Sequence, residues 1–169
     1  MKVVFKIMDT LLDEVRRDLI RPHEFAAERV GFLVCRPARL NGGGIVILAH
    51  DYSPVDDPDY VDDPSVGAMM GPRAIRKALE FALNNQSGMF HVHMHEHFGR
   101  PRFSRVDIRE SARFVPDFWN VRSEMPHGAV VLSNDSACGS CWVPGVSIPI
   151  AISEVRVVGS PMVSIRVQP

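Results

Sequence analysis

The sequence predicts an α/β (α+β) protein, folded as one domain over residues 1–169. Three observations carry this expectation. Short runs rich in Val, Ile, Leu and Phe recur along the chain at strand length. Between them lie segments whose apolar residues repeat at helical spacing. Hydrophobic residues make up 46% and charged residues 23%, a globular composition long enough to bury a core.

The elements follow in order. Residues 2–8 alternate as a first strand. Asp9 or Thr10 can cap a helix over residues 10–20 whose apolar positions are Leu11, Leu12, Val15 and Leu19, and Pro22 ends it. Residues 28–36 read as a strand, Asn41-Gly42-Gly43-Gly44 as a turn, and residues 45–49 as the returning strand of a hairpin. Residues 51–66 hold six aspartates and three prolines and read as a surface loop. Its carboxylates are potential calcium ligands, but the spacing is not that of an EF-hand. Pro72 suits the first turn of a helix over residues 72–85, with Ile75, Ala78, Leu79 and Ala82 as its apolar stripe and Gln86-Ser87-Gly88 as its end. Residues 89–95 form a strand. Ser104 caps a helix running to about Val115, before Pro116. Residues 128–133 and stretches near 146–152, 154–158 and 162–167 complete the strands.

A formal net charge of -1 gives no field that favours nucleic acid or an anionic membrane. The first ten residues lack the apolar core of a signal peptide, and no stretch reaches the ~18 apolar residues of a membrane span. The expectation is a soluble cytoplasmic protein. The three cysteines argue against a disulfide framework. Cys138-Gly-Ser-Cys141 has a spacing suited to half a zinc site or a redox pair, but no second CxxC exists. It is read as two small residues in a tight loop.

The chemistry concentrates in residues 88–107. Four of the seven histidines are His91, His93, His95 and His97. In a strand they share one face, while Phe90, Val92 and Met94 share the other. Histidines at i and i+2 stand roughly 6–7 Å apart at the backbone, so two rings can converge on one ion. A catalytic zinc commonly takes three protein ligands and keeps one position open. Asp107, in the first turn of the helix after Ser104, is the natural third ligand. A base is also needed, and the region 23–36 offers Glu24 and Glu28, with Glu28 at the start of the otherwise apolar strand 28–36.

Together these residues resemble the JAMM (JAB/MPN+) metalloproteases, especially the small prokaryotic JAB proteins. The family pattern is E-x-x-G-x-L, then H-x-H, about seven residues, and S-x-x-D. Here it reads Glu28-Arg-Val-Gly31-Phe-Leu33, the histidine strand, and Ser104-Arg-Val-Asp107. Gly128 to Ser133 and Trp142 to Gly145 resemble the family's later strands, so the likeness spans roughly residues 5–155. It implies an MPN/JAB-like fold, a mixed curved β-sheet with two or three helices and cytidine-deaminase-like architecture. It also implies one catalytic Zn²⁺ on His93, His95 and Asp107, with Glu28 as general base and Ser104 as oxyanion donor.

The departure lies in the histidines. Three overlapping pairs leave gaps of ten, eight and six residues before Ser104. The His93/His95 pair is one residue longer than usual, which a loop absorbs readily. The resemblance further implies hydrolysis of the amide bond after the C-terminal glycine of a ubiquitin-like protein. E1-like and E2-like partners would accompany it, as in bacterial conjugation or antiphage systems. Two other readings stand beside it, a non-catalytic MPN-like scaffold and a cupin-type metal-binding protein.

Overall fold

In the computed structural model, the described residues are 1–159 and 163–166, the last four as backbone. The chain forms a mixed sheet flanked by helices. Its first strand, β1 (Lys2–Met8), leads directly into α1 (Asp9–Leu19). The cap position of α1 is Met8, without a side-chain bond, so neither Asp9 nor Thr10 plays the expected part. The Asp9 carboxylate instead accepts the Thr10 N–H inside the first turn (2.7 Å). Strands β2 (Val30–Leu40) and β3 (Gly44–Pro54) make a hairpin longer than the sequence indicates. The outer half of β2 is exposed and carries Arg36, Pro37 and Arg39, which hide the strand pattern. Pro37 is tolerated because β4 (Gly88–Met94) pairs only with Val30–Cys35, so one edge of β2 is free there.

Helix α2 (Pro72–Asn85) ends where Gln86 turns left-handed. Its buried stripe is Ala74, Ala78 and Ala82, one step around from the expected Ile75, which is only half-buried. Helix α3 (Arg105–Phe114) continues as a 3-10 turn through Asn120. The remaining strands are β5 (His127–Leu132), β6 (Ala137–Trp142), β7 (Ile150–Ala151), β8 (Glu154–Val158) and β9 (Val163–Arg166). The sheet order is β7-β6-β5-β4-β2-β3-β1-β8-β9. β4 runs parallel to β5 and antiparallel to β2.

Cys138 to Cys141 is not the tight loop that the sequence suggests but the middle of β6, paired with β5 from His127 to Leu132. Residues three apart in a strand point to opposite faces, so the two thiols cannot share a metal or a disulfide. Both are buried. The acidic stretch is also partly structured. Asp57–Asp59 form a 3-10 turn, and Asp56, Asp57 and Asp59 pair with Lys77, Arg29 and Arg73. Those carboxylates already have cations.

Two apolar clusters sandwich the sheet. One joins Leu12, Val15 and Leu19 of α1 to Phe5, Leu33, Phe90, Val92, Met94 and Val130. The other joins the alanines of α2 and Phe118 to Val30, Phe32, Val34 and Met89. Alternation along β4 therefore turns Phe90, Val92 and Met94 toward α1, and Met89, His91 and His93 the other way. None of the described helices is long and apolar enough to cross a membrane.

Candidate metal centre

Near the end of β4 lies His93, which is 2% exposed, and neither of its ring nitrogens has a hydrogen-bond partner. A buried imidazole left unpaired is costly, and such groups are rare unless an ion or water supplies the partner. The ring faces Asp107, whose Oδ2 lies 3.6 Å from His93 Nε2, too far for a hydrogen bond. On the other side stands His95, with ring centroids 5.0 Å apart.

His95 lies one residue beyond the end of β4, and its Nε2 is 3.8 Å from Glu28 Oε1. Glu28, His93 and His95 bring one donor atom each to within 4.8 Å of one another and could hold a metal ion. Ligands on a tetrahedral ion with ~2.05 Å bonds are about 3.3 Å apart, so the observed gaps close with small side-chain motions. Two carboxylates beside two imidazoles give the pocket the charge and donor set that a divalent cation needs.

Each residue is fixed locally. Ser104 caps α3 in a capping box, its Oγ accepting the Asp107 N–H (3.1 Å) and the Asp107 carboxylate accepting the Ser104 N–H (2.7 Å). The cap uses Oγ as acceptor, and the hydroxyl proton has the Asp107 carboxylate beside it as a partner. An oxyanion-donor role would require that hydroxyl to turn away from Asp107, and Ser104 is exposed. Burial works to raise the Asp107 pKa. The nearby His93 and the Ser104 N–H and hydroxyl overcome it and hold the carboxyl well below its ordinary range.

Glu28 is not in the strand, as the sequence suggested, but two residues before it. The Ala27 and Glu28 N–H groups donate to the Gly67 carbonyl (2.8 and 3.1 Å) instead of to a sheet partner. A Cβ on Gly67 would stand 3.0 Å from the Glu28 carboxylate, so the loop lies against that side chain. Next to it, Arg29 is 2% exposed and donates to the carbonyls of Arg21 and Pro22 and to Asp57. Gly31 has no room for a side chain, because the Tyr52 ring and hydroxyl occupy the space. Arg29 and Gly67 carry no motif of their own and act only through the fold, so nothing in the sequence marks them.

The other candidates separate. His91 packs against Phe32 and Phe114, with centroids 5.8 and 5.3 Å away. Burial first, then its neighbour His93, pushes its pKa down to about 3, so it stays neutral. His97 is exposed, and its Nδ1 lies 2.9 Å from the Phe98 carbonyl. Glu24 is exposed. Of the three histidine pairs, His93/His95 is the one gathered with a carboxylate.

No protein-family model matches this chain, and no curated protein matches it. The likeness to the JAMM pattern therefore rests on the residues themselves.

Proposed function

We propose that this chain is a zinc-dependent (iso)peptidase of the JAMM type. Its substrate would be the amide bond after the C-terminal glycine of a ubiquitin-like protein. The supporting observation is a buried, unpartnered His93 gathered with His95 between two carboxylates, Glu28 and Asp107. His93, His95 and Asp107 would hold the ion, which when bound supplies positive charge and lowers the pKa of water toward about 7. Glu28 takes a proton from the attacking water and passes it to the departing amine nitrogen. One C–O bond forms and the C–N bond breaks. Turned from Asp107, the Ser104 hydroxyl would donate to the developing oxyanion. Phe98, 78% exposed, and Ile108, 61% exposed, flank these residues in sequence and offer apolar surface to a macromolecular substrate. E1-like and E2-like partners and a cytoplasmic setting belong to the same proposal.

One observation favours a second reading. The donors gathered most tightly include Glu28 rather than Asp107. With both carboxylates bound, four protein ligands would close the site, as in structural zinc centres. The protein would then bind metal without hydrolysis. A cupin fits less well, since three α-helices flank the sheet. The experiment is metal content by plasma mass spectrometry in the wild type and Asp107→Ala, followed by a screen of ubiquitin-like C-terminal fusions. About one zinc per chain, lost in the variant, supports the proposal; no zinc after repletion rejects it.

A further inference from the structure

Strand β4 stops at Met94, so the sheet that aims His93 does not aim His95. A second structure must do so, and the turn between β5 and β6 provides it. The His95 N–H donates to the Leu132 carbonyl (2.9 Å), one last step of the ladder. The chain then bends, with His97 N–H on the His95 carbonyl (2.8 Å) and Asn134 N–H on the His97 carbonyl (3.0 Å).

Two residues later both backbone groups of Gly99 are taken by side chains of that turn. Its N–H donates to Asp135 Oδ1 (2.7 Å), and its carbonyl accepts from Ser133 Oγ (2.6 Å). Gly99 has φ +88°, a conformation that suits glycine. Ser133 is fully buried, its Oγ also accepts the Ser136 N–H (3.0 Å), and its carbonyl lies 3.4 Å from the Arg16 guanidinium of α1. The segment from His95 to Gly99 is thus fastened at each end to a rigid turn anchored on α1. The same segment leads on to Ser104 and Asp107.

Resting on the metal-centre reading above, we infer that Ser133 and Asp135 are positioning residues that fix the backbone from His95 to Gly99 and the loop leading on to Asp107. Groups that orient a metal ligand without touching the ion typically weaken binding about 10–100-fold when lost, and these two act on the ligand's backbone segment rather than on its ring.

Asp135 is exposed, so its substitution spares the core. The test compares wild type, Asp135→Ala and Asp135→Asn. Three quantities are measured: zinc affinity by chelator competition, the visible spectrum of the cobalt-substituted protein, and amide hydrogen exchange over residues 95–99 of the metal-free protein. Asp135→Ala should bind zinc about 10–100-fold more weakly, shift the cobalt bands and exchange faster at Gly99. Asp135→Asn keeps an acceptor oxygen for the Gly99 N–H and should restore all three. Unchanged exchange in metal-free Asp135→Ala overturns the latch, whatever the metal does. Asparagine behaving like alanine overturns it too, because charge rather than the hydrogen bond would then be at work. A wild type that binds no divalent ion, with exchange still accelerated in Asp135→Ala, rejects the metal centre and with it the positioning role, leaving only a loop clamp.

Discussion

The Glu28→Gln substitution separates the two readings of the metal centre. Glutamine keeps the shape of the side chain and its Oε1, but it cannot accept a proton at neutral pH. If Glu28 is the base, turnover should fall about 10²–10⁴-fold, roughly 2.7–5.4 kcal/mol of barrier at 1.36 kcal/mol per decade. Zinc should stay near one ion per chain. Retention is expected because the capping box holds the Asp107 carboxylate beside His93, so His93, His95 and Asp107 would still hold the ion when Glu28 is neutralised. The Gly67 carbonyl also holds the backbone at Ala27 and Glu28, which limits how far the carboxylate can advance. The assay pairs zinc stoichiometry with cleavage of a ubiquitin-like C-terminal fusion. Normal turnover by the variant refutes the base assignment. Loss of zinc makes Glu28 a ligand and the site a closed one.

Three further outcomes are expected. His95→Ala should lose the stabilisation that zinc gives the wild type, about 2.7 kcal/mol at a hundredfold excess over Kd, whereas His91→Phe should keep it; the reverse pattern in thermal melts moves the site to His91/His93. Gly67→Ala should press a methyl group on the Glu28 carboxylate, lowering turnover while zinc content holds; an unchanged kcat shows that the contact is slack. The third concerns pH. His127 is fully buried, stacks on Phe118, and through burial, opposed by the Arg122 carbonyl and Glu124, has its pKa pushed down to about 4. The unfolded chain takes up this proton near pH 6.5, so the contribution is whole above that pH and is lost as pH falls toward 4. Between pH 7 and pH 5 the loss is about 2 kcal/mol. In urea titrations His127→Phe should therefore show a shallower pH dependence than the wild type, and an equal slope would contradict the assignment.

The helices were legible because their signals are local. Pro72 opens α2 in its first turn and Gln86 closes it with a left-handed residue. The Ser104 side chain writes the start of α3 into four residues. Strand β6 was not legible, since Ala-Cys-Gly-Ser-Cys-Trp shows no alternation and contains a glycine. It exists because β5 pairs along its whole length, and because Gly139 lets the Ile152 side chain and the Ala129 carbonyl approach where a Cβ would collide. That is a property of distant residues and leaves no periodic trace. The β2–β3 hairpin was legible, but not the length of β2: its far end pairs with β3 alone and is exposed, so polar residues are free to occupy it.

The histidines pose the same problem at the scale of a site. Sequence places four imidazoles on one face at equal spacing, and alternation alone cannot choose among them. The structure distinguishes them by where the neighbouring elements stop. His91 faces Phe32 across β2 and Phe114 of α3, so it is walled in by carbon. His97 lies beyond the bend after His95 and is exposed. Between them, His93 meets the first turn of α3, which brings Asp107, and His95 meets the segment before β2, which brings Glu28. The choice of pair thus depends on the end of β4, the cap of α3 and the Gly67 carbonyl. The cap is a local contact and had a sequence signature; the other two depend on residues distant in the chain and had none.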